Sequence, residues 1–188
     1  MQKRAPAASC DMLFYMVSFI QPNGLRKMPE LKKLQDVQEE IYRQLHLLIP
    51  DQFAFHDSLV SRVSGSPILR LEVLERHRYT TFFRLTYEFR QGQVSTYAPD
   101  AHIRFYHDAH IAEATSFNVS QGCTRTAHPA YPPKQLLQQT WRRNHFLDRW
   151  LDYLLKQGHS VVTMKPARRS INQKSKLPVY ATVSPHIA

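Results

Sequence analysis

Apolar and polar residues alternate without a break over residues 79–90, YTTFFRLTYEFR. On an extended chain Tyr79, Thr81, Phe83, Leu85, Tyr87 and Phe89 line one face, and Thr80, Phe82, Arg84, Thr86, Glu88 and Arg90 line the other. A period of two over this length predicts a half-buried β-strand. Residues 68–76, ILRLEVLER, repeat the pattern, with His77 and Arg78 at the turn between the two strands. Charges of both signs on the polar faces predict cross-strand ion pairs, Glu72 and Glu88 with the arginines. Shorter strands are read in FAFHDSLVSRV and in VSTYA. Residues 102–115 are read as one long strand. Ile103, Phe105, His107, Ala109 and Ile111 would face one way, and His102, Arg104, Tyr106, Asp108, His110 and Ala112 the other. The alternation runs through YHDAH, which argues against a turn at Asp108.

Two segments carry a helical period instead. In residues 30–48, Leu31, Leu34, Ile41, Leu45 and Leu48 fall on one stripe, with Pro29 suited to the first turn and Pro50 to the stop. In residues 134–157, Leu136, Leu147, Trp150, Leu151, Leu154 and Leu155 share a face that Arg143 and Asn144 interrupt, and Gly158 stands at the C-cap. Residues 118–133 are rich in turn formers. These elements predict an α+β fold: an antiparallel sheet of about four to five strands flanked by an N-terminal and a C-terminal helix. One domain over residues 29–164 is expected, with an extension at 1–28 and a basic, disordered tail at 165–188.

The net charge of +10 sharpens this division. The middle of the chain is close to neutral, whereas residues 153–188 hold six Lys or Arg and no acid. Such a tail attracts nucleic acid or an acidic protein through Lys165, Arg168, Arg169, Lys174 and Lys176; the simpler reading is a solvated tail that aids solubility. The apolar run MLFYMVSFI at 12–20 is too short to span a bilayer, and no membrane association is expected. The segment after it, QPNGLRK, lacks a small-residue cleavage site, so a secretion signal is disfavoured and Met28 is an alternative start. Cys10 and Cys123 make no CxxC, which excludes a zinc ribbon or thioredoxin-like motif and fits a cytoplasmic protein. There is no G-x-S-x-G, no phosphate loop and no dinucleotide fingerprint.

RYTT at 78–81, RFYHDAHIAEA at 104–114, YPP at 131–133 and NHFLDRWLDYLLKQG at 144–158 follow one another in an order that resembles the YqiB-like family of small bacterial proteins of unknown function. The resemblance covers about residues 29–160 and implies a cytoplasmic protein, with residues 1–28 as an extension. It brings no activity with it. The chain departs from the family pattern at Pro133, where Asn is usual, and at QTWRR, 139–143, where charged residues and a Gln are usual.

The residues with the most chemistry lie in the RFYHDAHIAEA stretch. On one strand Arg104, Tyr106, Asp108 and His110 share a face, so Tyr106, Asp108 and His110 are candidate catalytic groups: a histidine and a carboxylate for acid–base work, beside an arginine for an anion. A polar, hydrogen-bonded sheet face is the simpler reading and is preferred. No metal and no cofactor is expected, because nothing places further ligands nearby. Candidate ligand contacts are Arg84, Arg104, Tyr106, His107, Asp108, Glu113 and Asn144. His107 has inward parity, and Asn144 on an apolar helix face must find hydrogen bonds, either to the sheet or in a pocket. The expected function is a non-enzymatic binding or accessory protein with an anionic partner: RNA, a nucleotide or an acidic protein. The alternative is an enzyme acting on a phosphorylated or acidic small molecule.

Overall fold

The computed structural model describes residues 31–50, 56–91, 94–118 and 133–167. The expectations for residues 1–28 and for most of the tail lie outside them, as do both cysteines. Helix α1, Leu31–Leu48, buries Leu34, Ile41, Leu45 and Leu48 of the stripe its spacing predicts, while Leu31, at its first turn, is exposed. Helix α2, Pro133–Lys156, buries Phe146, Leu147, Trp150, Leu151 and Leu154. It ends in a Schellman motif. The Gly158 N–H donates to the Leu155 carbonyl and the His159 N–H to the Leu154 carbonyl. Gly158 has φ +92°, a conformation that glycine adopts without steric cost.

Between the helices the chain forms β1 (Ser58–Ser61), β2 (Ile68–Arg76), β3 (Thr80–Gln91), β4 (Val94–Tyr106) and β5 (Ile111–Asn118), and β6 (Met164–Pro166) follows α2. The sheet order is β5-β4-β3-β2-β1-β6 and each of these pairs is antiparallel. Strands β1 to β5 therefore make a meander, and β6 returns to pair with β1. The fold is α+β as expected, with six strands rather than four or five. The extra strand is β6, too short for its pattern to register; it takes Lys165 out of the expected tail and pairs it with Val60.

One face of the sheet carries Leu69, Leu71, Phe83, Leu85, Tyr87, Ala101, Ile103, Phe105, Ala112 and Ala114, and packs with the helices into a single core. The long strand expected over 102–115 is instead a hairpin. Tyr106 pairs with Ile111, and residues 107–110 form the loop between them. Positions five apart would point to opposite faces of one strand, but across this loop they are partners on one face. The reading of Ile111 as inward and Ala112 as outward is thus reversed: Ala112 and Ala114 are buried, and Glu113 pairs with Arg104 on the outer face. The loop has no glycine or proline to announce it. His110 takes its left-handed position, φ +54°, which histidine tolerates better than most residues.

Candidate functional site

The outer face of the sheet holds several of the residues picked from the sequence, and it holds them in pairs. The Arg84 guanidinium donates to both oxygens of Asp100, at 2.7 and 3.0 Å, and lies 3.5 Å from Glu72. The hydrogen bond to Asp100 leads the effects that raise its pKa. Arg70 and Arg90 each donate at 2.6 Å to Glu88, whose carboxylate is almost fully buried. Burial alone would raise the Glu88 pKa; the two arginines outweigh it and hold the carboxyl below its ordinary value. The Tyr106 hydroxyl donates to Glu113 at 2.9 Å, and Arg104 lies 3.6 Å from the same carboxylate. The cross-strand ion pairs expected of Glu72 and Glu88 are present.

The turn separates the proposed catalytic group. Tyr106 stays on the outer face with Glu113. The Asp108 carboxylate accepts from the Ala109 N–H within the loop. The His110 ring lies 5.4 Å from Tyr42 of α1. His107 is the member that turns inward, where its Nε2 meets the Thr81 hydroxyl at 2.8 Å.

There it lines a cavity of about 390 Å³ at the end of the sheet. The C-terminal end of α1 contributes Leu45 and His46, with Ile49 and Pro50 just beyond it. Arg76 ends β2 and His77 follows it, Thr81 and Phe83 come from β3, Phe105 comes from β4, and His107 opens the loop after it. Phe105, Thr81 and Arg76 stand in register on neighbouring strands, which puts all three on the inner face. Phe105 is the hub: Tyr42 stacks on it at 4.5 Å, and His46 and His107 meet it edge-on at 5.4 and 5.1 Å. The walls are apolar, the rim holds three histidines and an arginine, and among the described residues the lining has no carboxylate. Among the described residues two acids border the rim, Glu75 at 3.4 Å from His77 and Asp57 at 3.9 Å from Arg76, both largely exposed. Partial covering of its ring, and then His46 beside it, hold His107 below the usual histidine pKa, against the opposing pull of Asp108. Of this pocket the sequence indicated only His107 by parity. His46 and Arg76 stand at element ends, and only the sheet order brings them together.

Asn144 is fully buried and joins helix to sheet. Its Oδ1 accepts from the Ala114 N–H at 3.0 Å and its Nδ2 donates to the Thr140 carbonyl at 2.9 Å. Arg143 donates to the Thr140 hydroxyl, and burial lowers its pKa.

A second polar group inside the molecule, around His159, was not indicated by the sequence. Thr163 gives its hydroxyl proton to the Ser160 carbonyl at 3.0 Å and accepts from Ser61 at 2.8 Å. Ser61 has then no proton left for His159, so it accepts from Nδ1–H at 2.8 Å. Nε2 is the acceptor, facing Ser66 at 3.0 Å and Tyr87 at 3.4 Å. Burial pushes the His159 pKa down to about 4. A base this weak, with both nitrogens satisfied, is a neutral core histidine that joins β1, β3 and the segment after α2.

Among the described residues no group of three or more His, Cys, Asp or Glu is placed to hold a metal ion, and no helix is long and apolar enough to cross a membrane. A family described as a protein of unknown function, DUF1249, matches residues 44–160. The chain belongs to this family. It is 33% identical over 137 residues to the uncharacterized protein YqiB of Escherichia coli K12, an alignment covering 71% of this chain and 94% of YqiB. YqiB of E. coli O157:H7 gives the same figures. No solved structure matches the chain.

Proposed function

We propose that this protein binds an anionic partner, and that the pocket at the end of the sheet takes a small anionic molecule with an apolar body. One observation carries this reading: the pocket sets apolar walls against a rim of Arg76, His46, His77 and His107, with no carboxylate among the described residues that line it. Its volume, about 390 Å³, is of the size that encloses a small organic ligand. The outer-face arginines support a structural role for that surface, since their charge is spent on Glu72, Glu88 and Asp100. The basic segment Lys165, Arg168, Arg169, Lys174 and Lys176 is a separate proposed contact, for nucleic acid or an acidic protein, supported by its charge. Two cysteines without a CxxC support a cytoplasmic setting.

Anilinonaphthalene sulfonate, an anion on an aromatic body, tests the pocket. Its fluorescence on titration should report one saturable site per chain. Arg76→Gln should weaken that site about fivefold, the effect of a partly exposed charge contact of ~1 kcal/mol. Equal binding by the variant, or no saturable site, would sink the reading.

A further inference from the structure

We propose that the pocket selects a phosphate monoester on a flat apolar body, and that the dianion binds with proton uptake by His46 and His107. This rests on the pocket reading above and names its ligand class. His46 and His107 come from different parts of the chain, the last turn of α1 and the start of the β4–β5 loop, yet their rings flank the same Phe105 ring. Arg76 stands on the strand two places away, roughly 10 Å from Phe105 across the sheet. The span between Phe105 and Arg76 suits an aromatic body with a charged head.

The charges around the two imidazoles decide which head. Facing them are Tyr42 from α1, Arg76 and His77 from the end of β2, and Asp108 and His110 from the β4–β5 loop. Among the described residues three carboxylates lie on this side: Asp108 engages the Ala109 N–H, and Glu75 and Asp57, beside His77 and Arg76, are largely exposed. Arg76, which also has exposed Asp57 at 3.9 Å and donates to the His56 carbonyl, neutralises at most a single negative charge of a ligand. A dianion leaves a second charge over, and the adjacent imidazoles are the groups that can take up a proton to meet it. Partial burial and then the neighbouring His46 oppose protonation of His107 in the empty pocket, and a bound dianion counters that opposition. A sulfonate or carboxylate on the same body gains little from the same step.

Calorimetry of the full chain with 1-naphthyl phosphate and with 1-naphthalenesulfonate, each in two buffers of different ionisation enthalpy, separates the outcomes. The phosphate should bind about tenfold more tightly at pH 7, a difference of one further charge-assisted contact. It should take up about one proton, and its advantage should grow from pH 8 to pH 6. The double substitution His46→Gln with His107→Gln should bring the phosphate down to the sulfonate's affinity and abolish the proton uptake. Equal affinities without proton uptake would overturn the dianion inference and leave the pocket reading standing. Absence of binding by both naphthyl compounds would overturn the two together.

Discussion

The side-chain amide of Asn144 spans the gap between α2 and the sheet, accepting the Ala114 N–H of edge strand β5 at 3.0 Å. The bond answers a backbone donor that β5, with strand β4 on one side only, would leave buried and unpaired. Asn144→Ala should lower unfolding free energy by ~2 kcal/mol, the cost of an orphaned buried group. Asn144→Asp should be worse near neutral pH, because a carboxylate meets the Thr140 carbonyl. It should recover as pH falls and the acid protonates. Urea midpoints of both variants between pH 7 and 4 check this, and a pH-independent Asp variant would contradict it.

His159 predicts acid lability of a defined sign. Its folded pKa, about 4, lies below the ordinary 6.5. The unfolded chain therefore binds the proton more readily, and stability falls as pH drops from about 6.5 towards 4. The loss across that window is ~3 kcal/mol for a shift of this size. His159→Gln should flatten the slope there while lowering stability at pH 7. Nitrogen chemical shifts of the ring should report the Nδ1–H tautomer at neutral pH; the Nε2–H form would refute the proton order set by Thr163.

The Glu88 carboxylate works in the opposite direction. Its folded pKa is below its ordinary value of 4.5, so its contribution is complete above that pH and vanishes as pH falls through the lower folded value. Glu88→Gln should cost ~2 kcal/mol at pH 7, where Arg70 and Arg90 lose their buried counter-charge. The gap between variant and parent should close as pH falls through that lower value. A constant gap down to pH 2 would show that packing, not charge, is what Glu88 contributes.

The basic C-terminal segment yields a salt prediction. Removing residues 168–188 takes away Arg168, Arg169, Lys174 and Lys176. If these contact phosphates, the slope of log affinity for single-stranded RNA against log salt should fall by about 3. An unchanged slope would remove nucleic acid from the list of partners.

The elements with long, regular patterns were legible in the sequence: the α1 stripe, the alternation of β3, the Gly158 stop of α2. Asn144 was legible as well, because a polar residue on an apolar stripe has few solutions. The β4–β5 hairpin was not, because His107–Asp108–Ala109–His110 holds no turn-forming dipeptide and keeps the alternation running through a real turn. The pocket was not legible for a different reason. His46, Arg76 and Phe105 are separated along the chain and become neighbours only through the sheet order, which no local pattern encodes.

The pairing of β6 with β1 has a consequence for how the chain is made. Ser61 meets His159 across 98 positions, and Val60 meets Lys165. During synthesis the β1–β2 hairpin leaves the ribosome early, with the outer edge of β1 bare and Ser61 without its histidine. Both wait until residues 159–166 emerge, after all of α2. For most of translation the nascent chain thus carries an open strand edge, and among the described residues those synthesised last are the ones that seal it.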